Sequence, residues 1–202
     1  MKSLHFGVWL LALGLLGGCA WWRPPSPLPR LDREELAWLE RLDRWHVQGR
    51  IGVRGERGNW HGGLHWTYED GQDRLVITGP LGQRAVVIQV RSGWIEIAQA
   101  NGQTQVSDRP EKLLKEVLGV AVPLKALRYW IRGLPAPGGG EVEFSPDGRV
   151  LRLRQGKWQV EYRQYRSLKT HVLPVKLELI GPGVSVKLLV DLWEVDGGRE
   201  RA

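Results

Sequence analysis

Few residues in this chain have a type and setting that could do chemistry, and the first is Cys19, the single cysteine among 202 residues. It follows Leu16-Gly17-Gly18 at the end of an apolar run from Phe6 to Leu16, with Lys2 ahead of the run. Such a run is too short to span a bilayer comfortably, and two small residues suit a signal peptidase, so residues 1–18 read as a removable secretory leader. A thiolate placed directly after the small pair is a good nucleophile for diacylglycerol transfer. The pattern predicts a bacterial lipoprotein signal, with a mature N-terminus at Cys19 that carries diacylglycerol and an N-acyl chain. With its one thiol committed, the chain can form no disulfide and must stand on its hydrophobic core.

The other candidates fail on spacing. His61 and His65 share a strand face, but four strand residues separate them by about 13 Å, too far to hold one metal. No Gly-x-Ser-x-Gly occurs, and neither Gly138-Gly139-Gly140 nor Gly156-Lys157 continues into the Lys-Ser or Lys-Thr of a phosphate loop. Carboxylates are scattered, mostly with arginines nearby. The expectation is a non-enzyme with no metal and no cofactor beyond the lipid on Cys19; a hydrolase would need the fold to bring a Ser beside a His.

Charge and composition narrow the partners. The formal net charge is +7, and Lys2 is the one charged residue of the leader. In an exported lipoprotein this basic excess suits anionic lipid or an acidic partner, and nucleic acid is discounted. Ala20 stands where an aspartate often retains such proteins at the inner membrane, which favours the outer membrane. Residues 19–31 then form the acylated cysteine and a tether: Pro24, Pro25, Pro27 and Pro29 predict an extended, semi-rigid segment reaching about 30 Å. Trp21 and Trp22 are equally readable as headgroup-level anchors and as plain linker residues.

Residues 32–195 carry the pattern of one domain. Asp32 with Glu35 forms a capping box, Leu31 and Leu36 fall at staple positions, and Trp38, Leu39, Leu42 and Trp45 share a helical face. From His46 the period becomes two: Val47, Gly49, Ile51 and Val53, then Trp60, Gly62, Leu64, Trp66 and Tyr68, alternate with polar residues. Further strands are expected at 75–79 and 84–90 around Gly79-Pro80-Leu81-Gly82, and at 94–98 and 103–106. Two short amphipathic helices follow, one from Asp108 to Gly119 and one from Pro123 to Gly133. Strands resume at 141–144, 149–154, 157–166, 174–180 and 184–193, and 196–202 reads as a flexible polar tail. So many consecutive antiparallel strands must protect their edges, which favours a curved, barrel-like sheet covered by helices. Eleven tryptophans, with only Trp9 in the leader, favour a large apolar contact surface.

Read in order, several segments resemble the LolB family, the outer-membrane lipoprotein receptors of the lipoprotein localisation pathway. They are Gly49-Arg50-Ile51-Gly52, Trp60 to Trp66, Gly79-Pro80-Leu81-Gly82, Leu118-Gly119 to Pro123-Leu124, Leu127 to Pro135, Trp158 to Tyr165, Leu173 to Leu177 and Trp193. The resemblance implies a mainly β fold with α: a curved antiparallel sheet forming an unclosed barrel, LolA/LolB-like, under a lid of about three short helices. It also implies a monomeric, lipid-anchored protein on the periplasmic side of the outer membrane. Such a protein accepts acylated lipoproteins from a LolA-like periplasmic carrier and inserts them into outer-membrane phospholipid. Leu81, held out by Pro80 and Gly82, matches the family's protruding membrane-insertion loop. For the acyl-chain cavity the apolar strand and lid faces offer Trp60, Trp66, Leu75, Ile77, Val86, Ile88, Leu114, Leu118, Leu127, Trp130, Trp158 and Tyr162, each equally readable as ordinary core. Seven basic residues against Glu161 between Arg149 and Lys169 suggest a face that docks the carrier or anionic headgroups, or a plain solvated strand face. The competing readings are a scaffold lipoprotein of the envelope with a filled core and another lipid-binding envelope protein.

Overall fold

A computed structural model describes residues 31–56, 58–79, 84–168, 171–195 and 198–201. The capping signals act as expected at the first helix, α1 (Arg33–Arg41), where the Asp32 carboxylate accepts from Glu35 N at 2.9 Å. Glu35 does not reach back to complete the box. Its carboxylate instead accepts from Val172 N at 2.7 Å and meets His171 Nδ1 at 2.9 Å, while Trp38 stacks on the His171 ring at 3.6 Å. A capping residue thereby becomes the tie between helix and sheet. Leu36, at the staple position, stays exposed.

Six strands then run antiparallel in sequence order: β1 (Trp45–Gly55), β2 (Gly58–Glu69), β3 (Gln72–Thr78), β4 (Arg84–Arg91), β5 (Trp94–Gln99) and β6 (Thr104–Ser107). Helices α2 (Pro110–Leu118) and α3 (Leu124–Trp130) follow, before β7 (Glu141–Phe144), β8 (Val150–Gln155), β9 (Trp158–Leu168), β10 (His171–Gly181) and β11 (Val184–Val195). The sheet order is β6-β5-β4-β3-β2-β1-β11-β10-β9-β8-β7. The chain therefore leaves the centre at β1, walks to one edge, crosses through α2 and α3 to the opposite edge, and walks back to pair β11 with β1. The edges β6 and β7 do not pair, so the barrel is unclosed. The crossover is the lid: its helices must traverse the concave side to join the two edges. Gly198–Arg201 adds a short strand, β12, on β11, where the sequence suggested a flexible tail.

Curvature comes from close backbone approaches. A Cβ on Gly49 would lie 2.2 Å from Leu189 O, beside the register shift between β1 and β11, and one on Gly62 would lie 2.1 Å from Thr78 O. Only glycine lets neighbouring strands cross this tightly. Inward positions build a continuous core in which Val47, Trp66, Ile95, Ile97, Leu173, Leu179 and Trp193 are fully buried. Helix α2 ends as expected at Gly119, whose left-handed backbone (φ +77°) returns its N–H to Lys115 O.

Candidate functional site: an apolar interior under a pinned lid

Beneath the lid lies a chamber of about 50 Å³ with a wholly apolar lining. Eight of the expected cavity residues meet there: Trp60, Trp66, Leu75, Ile77 and Ile88 from the sheet, and Leu114, Leu118 and Leu127 from the lid. The wall is completed by residues that the sequence reading left out, among them Ile51 and Val53 of β1 and Val186 and Leu188 of β11. Their signal was present, because they hold the inward positions of the period-two pattern in the two central strands that join the halves of the sheet.

The chamber adjoins an open vestibule of about 420 Å³ at the ends of β1, β2 and β3. Val53, Trp60, Ile77, Leu118 and Val120 line both, and Val86 lines the vestibule. Gly79 stands on the vestibule rim, where the chain leaves for Pro80, Leu81 and Gly82, which lie outside the described residues together with Cys19.

Trp130, Trp158 and Tyr162, the other expected cavity residues of the lid and of β9, do not line this chamber. Trp130 Nε1 donates to Gln155 Oε1 at 2.9 Å, and its ring is 6.0 Å from that of Trp158. The Trp158 ring covers Gly181, and the Tyr162 hydroxyl donates to Trp130 O at 2.8 Å. The polar atoms of Trp130 and Tyr162 need partners, and those partners lie where the end of α3 meets β8 and β9. The cluster clamps the lid's C-terminal end. Burial pushes the phenols of Tyr162 and Tyr165 well above the ordinary tyrosine range.

A second clamp holds α3 to β3. Arg128 donates through Nε to Asp73 Oδ2 at 2.9 Å and makes a further close contact to it through Nη2, while Trp66 Nε1 donates to Asp73 Oδ1 at 3.1 Å. The Asp73 side chain is fully buried and that of Arg128 is 15 % exposed. Burial raises the Asp73 carboxyl above its ordinary value, against the opposing effect of Arg128 and Trp66. Asp73 occupies an inward position in register with Leu75 and Ile77, so an acid on the apolar face marked this pin in the sequence. Arg132 works alongside it, donating at 2.6 Å and 2.9 Å to the carbonyls of Leu39 and Leu42 at the end of α1. The arginines of the lid motif are thus ties between elements.

The basic stretch from Arg149 onward is largely compensated. Arg149 meets Asp147, Arg152 meets Glu143 and Glu161, Arg154 meets Glu141, and Arg163 meets Glu161. Among the described residues no three His, Cys, Asp or Glu side chains come together as a metal site.

An unclosed antiparallel barrel, bridged edge to edge by a helical lid over an apolar interior, defines the architecture shared with LolA-superfamily proteins. A crystal structure of a LolA superfamily protein from Nitrosomonas europaea superposes with a TM-score of 0.50 at 11% identity, over 81% of this chain and 94% of that one. The family model described as "Outer membrane lipoprotein LolB" matches residues 43–193. Outer-membrane lipoprotein LolB of Nitrosococcus oceani is 33% identical over 96% of this chain and 100% of its own length. That of Pseudomonas aeruginosa is 33% identical over 91% and 92%. The chain belongs to the LolB family of outer-membrane lipoproteins.

Proposed function

We propose that the chain receives acylated lipoproteins from a LolA-like periplasmic carrier, shelters their acyl chains in the apolar interior and places them in the inner leaflet of the outer membrane. The observation that carries this is the wholly apolar chamber opening, past Leu118 and Val120, into a vestibule on the rim where the Pro80-Leu81-Gly82 segment begins. Each methylene moved out of water gains about 0.8 kcal/mol, so acyl chains exposed in the periplasm would cost on the order of tens of kcal/mol. Exchange between two apolar cavities is nearly thermoneutral and needs no catalysis, so the protein works without an active site or cofactor. Insertion into the bilayer supplies the downhill step. Leu81 biases the rim toward lipid by about 1.5–3 kcal/mol, enough for contact and weak enough for release. Acylation of Cys19 holds the domain at the membrane as a monomer, on a tether of prolines.

The chamber of about 50 Å³ is smaller than the apolar cavity of about 150 Å³ that takes up a single benzene ring, and an acyl chain is larger still. Loading therefore requires α2 and α3 to move away from the sheet. The same small volume is the observation that favours a scaffold with a filled core. Uptake of an environment-sensitive fluorescent fatty acid separates the two. An acceptor binds it and is saturated by competing fatty acid, whereas a scaffold that is folded and takes up no probe refutes the proposal.

A further inference from the structure

A large depression of the described surface lies on the convex side of the sheet. It is a groove of about 760 Å³ that crosses β2, β1, β11, β10 and β9. The register explains it. On the outward face Gly52 is paired with His61 on one side and Lys187 on the other, and the adjacent outward row runs Gly63, Arg50, Leu189 and Lys176. Glycines at 52 and 63 leave an open floor, since a Cβ on Gly52 would meet nothing within 4 Å. Leu189 gives that floor its apolar character, and Arg50, Lys176, Lys187 and Arg163 provide cations around it, with Glu178 the one carboxylate in the lining. Arg50 and Arg163 hold Asp191 and Glu161, which lie outside the groove, and Lys187 holds Glu178 at 3.6 Å. Lys176 has no ion-pair partner among the described residues.

The groove reaches the membrane-facing rim. His61 and Gly79 line both the groove and the vestibule, so the two depressions meet at the base of the Pro80-Leu81-Gly82 segment. A cationic edge over an apolar floor, next to a segment read as dipping into lipid, fits one amphiphile: an anionic phospholipid of the receiving bilayer. We propose that this groove binds the anionic headgroup and glycerol region of such a phospholipid, seating the vestibule on the leaflet. The inference rests on the membrane-inserting reading above and adds the lipid class and the residues that select it.

The test uses the chain from Ala20 onward, which retains the whole described core from Leu39 to Trp193. Its binding to phosphatidylcholine vesicles is measured by co-sedimentation with and without phosphatidylglycerol. Gly52→Glu enters open space, so it keeps the fold while placing a carboxylate on the groove floor. It is expected to weaken binding to the phosphatidylglycerol vesicles about tenfold, and Lys176→Gln about fivefold. Lys112→Gln, which alters net charge by the same single unit as each of these on a different surface, leaves binding within about twofold. Equal losses in all three variants, or a wild-type chain indifferent to phosphatidylglycerol, overturn the proposal. Fatty-acid probe uptake keeps the two readings separable: Gly52→Glu retains it if only vesicle seating is lost, while a wild-type chain without uptake refutes the acceptor reading itself.

Discussion

Replacing Arg128 by methionine tests whether one ion pair pins the lid. The substitution keeps an unbranched apolar stem beside Tyr68, whose ring lies 4.7 Å from the guanidinium carbon, and removes the charge facing Asp73. Stripping a cation from a buried carboxylate costs about 3–5 kcal/mol. The lower end applies, because Arg128 sheds its own desolvation, Trp66 Nε1 still donates to Asp73, and the carboxyl can take up a proton. About 3 kcal/mol corresponds to roughly 6–12 °C in Tm for a domain of this size. In the variant the Asp73 pKa, already raised, moves up further, so the folded state binds a proton that the unfolded state releases. Stability must then rise as pH falls from neutrality toward the ordinary carboxyl range, in the window between the two pKa values. Thermal unfolding by circular dichroism at several pH values reads this, and stopped-flow probe uptake should be faster than in the parent. In the double variant Asp73→Asn/Arg128→Met the pH effect disappears and the loss is smaller than the sum of the single losses. A single-variant loss below about 1 kcal/mol, or strict additivity, would refute the pin.

Gly49→Ala puts a Cβ 2.2 Å from a backbone carbonyl that cannot yield, whereas Gly52→Ala meets nothing. Urea unfolding should show a loss of about 3 kcal/mol for the first and a change within about 1 kcal/mol for the second. Tyr162 and Tyr165 hold their protons in the folded state past the ordinary tyrosine pKa of about 10, so each makes stability fall as pH rises above that value. Together they predict a slope of about 2.7 kcal/mol per pH unit, and Tyr162→Phe should halve it, read by unfolding between about pH 10 and 12. Leu81→Glu should leave folding and cargo acceptance intact and stop delivery to liposomes; undiminished delivery would count against the insertion role.

The strands and lid helices were legible because local rules agree with the global fold: period two marks the inward face, and Asp32, Pro110 and Gly119 sit at the ends of their helices as capping chemistry requires. Periodicity reports which face a residue occupies, not where along the barrel it lies. Trp130 and Tyr162 lie at another depth from the chamber, since Gln155 and a backbone carbonyl hold their polar atoms at the lid's far end, and Trp158 lies beside Trp130 there. The pin was harder to see. Asp73 and Arg128 are 55 positions apart, and an expected strand beginning at Leu75 excluded the acid from the alternation that would have exposed it. Glu35 shows the same limit from the other side: a local capping pattern cannot report that tertiary structure has claimed one of its members.

The central claim is handover, and it is tested most directly by mixing a lipoprotein bound to its purified periplasmic carrier with the chain from Ala20 onward, then adding liposomes. The account predicts that the lipoprotein leaves the carrier, co-purifies with this chain and finally floats with the liposomes. A correctly folded chain that leaves all the cargo on the carrier would contradict it.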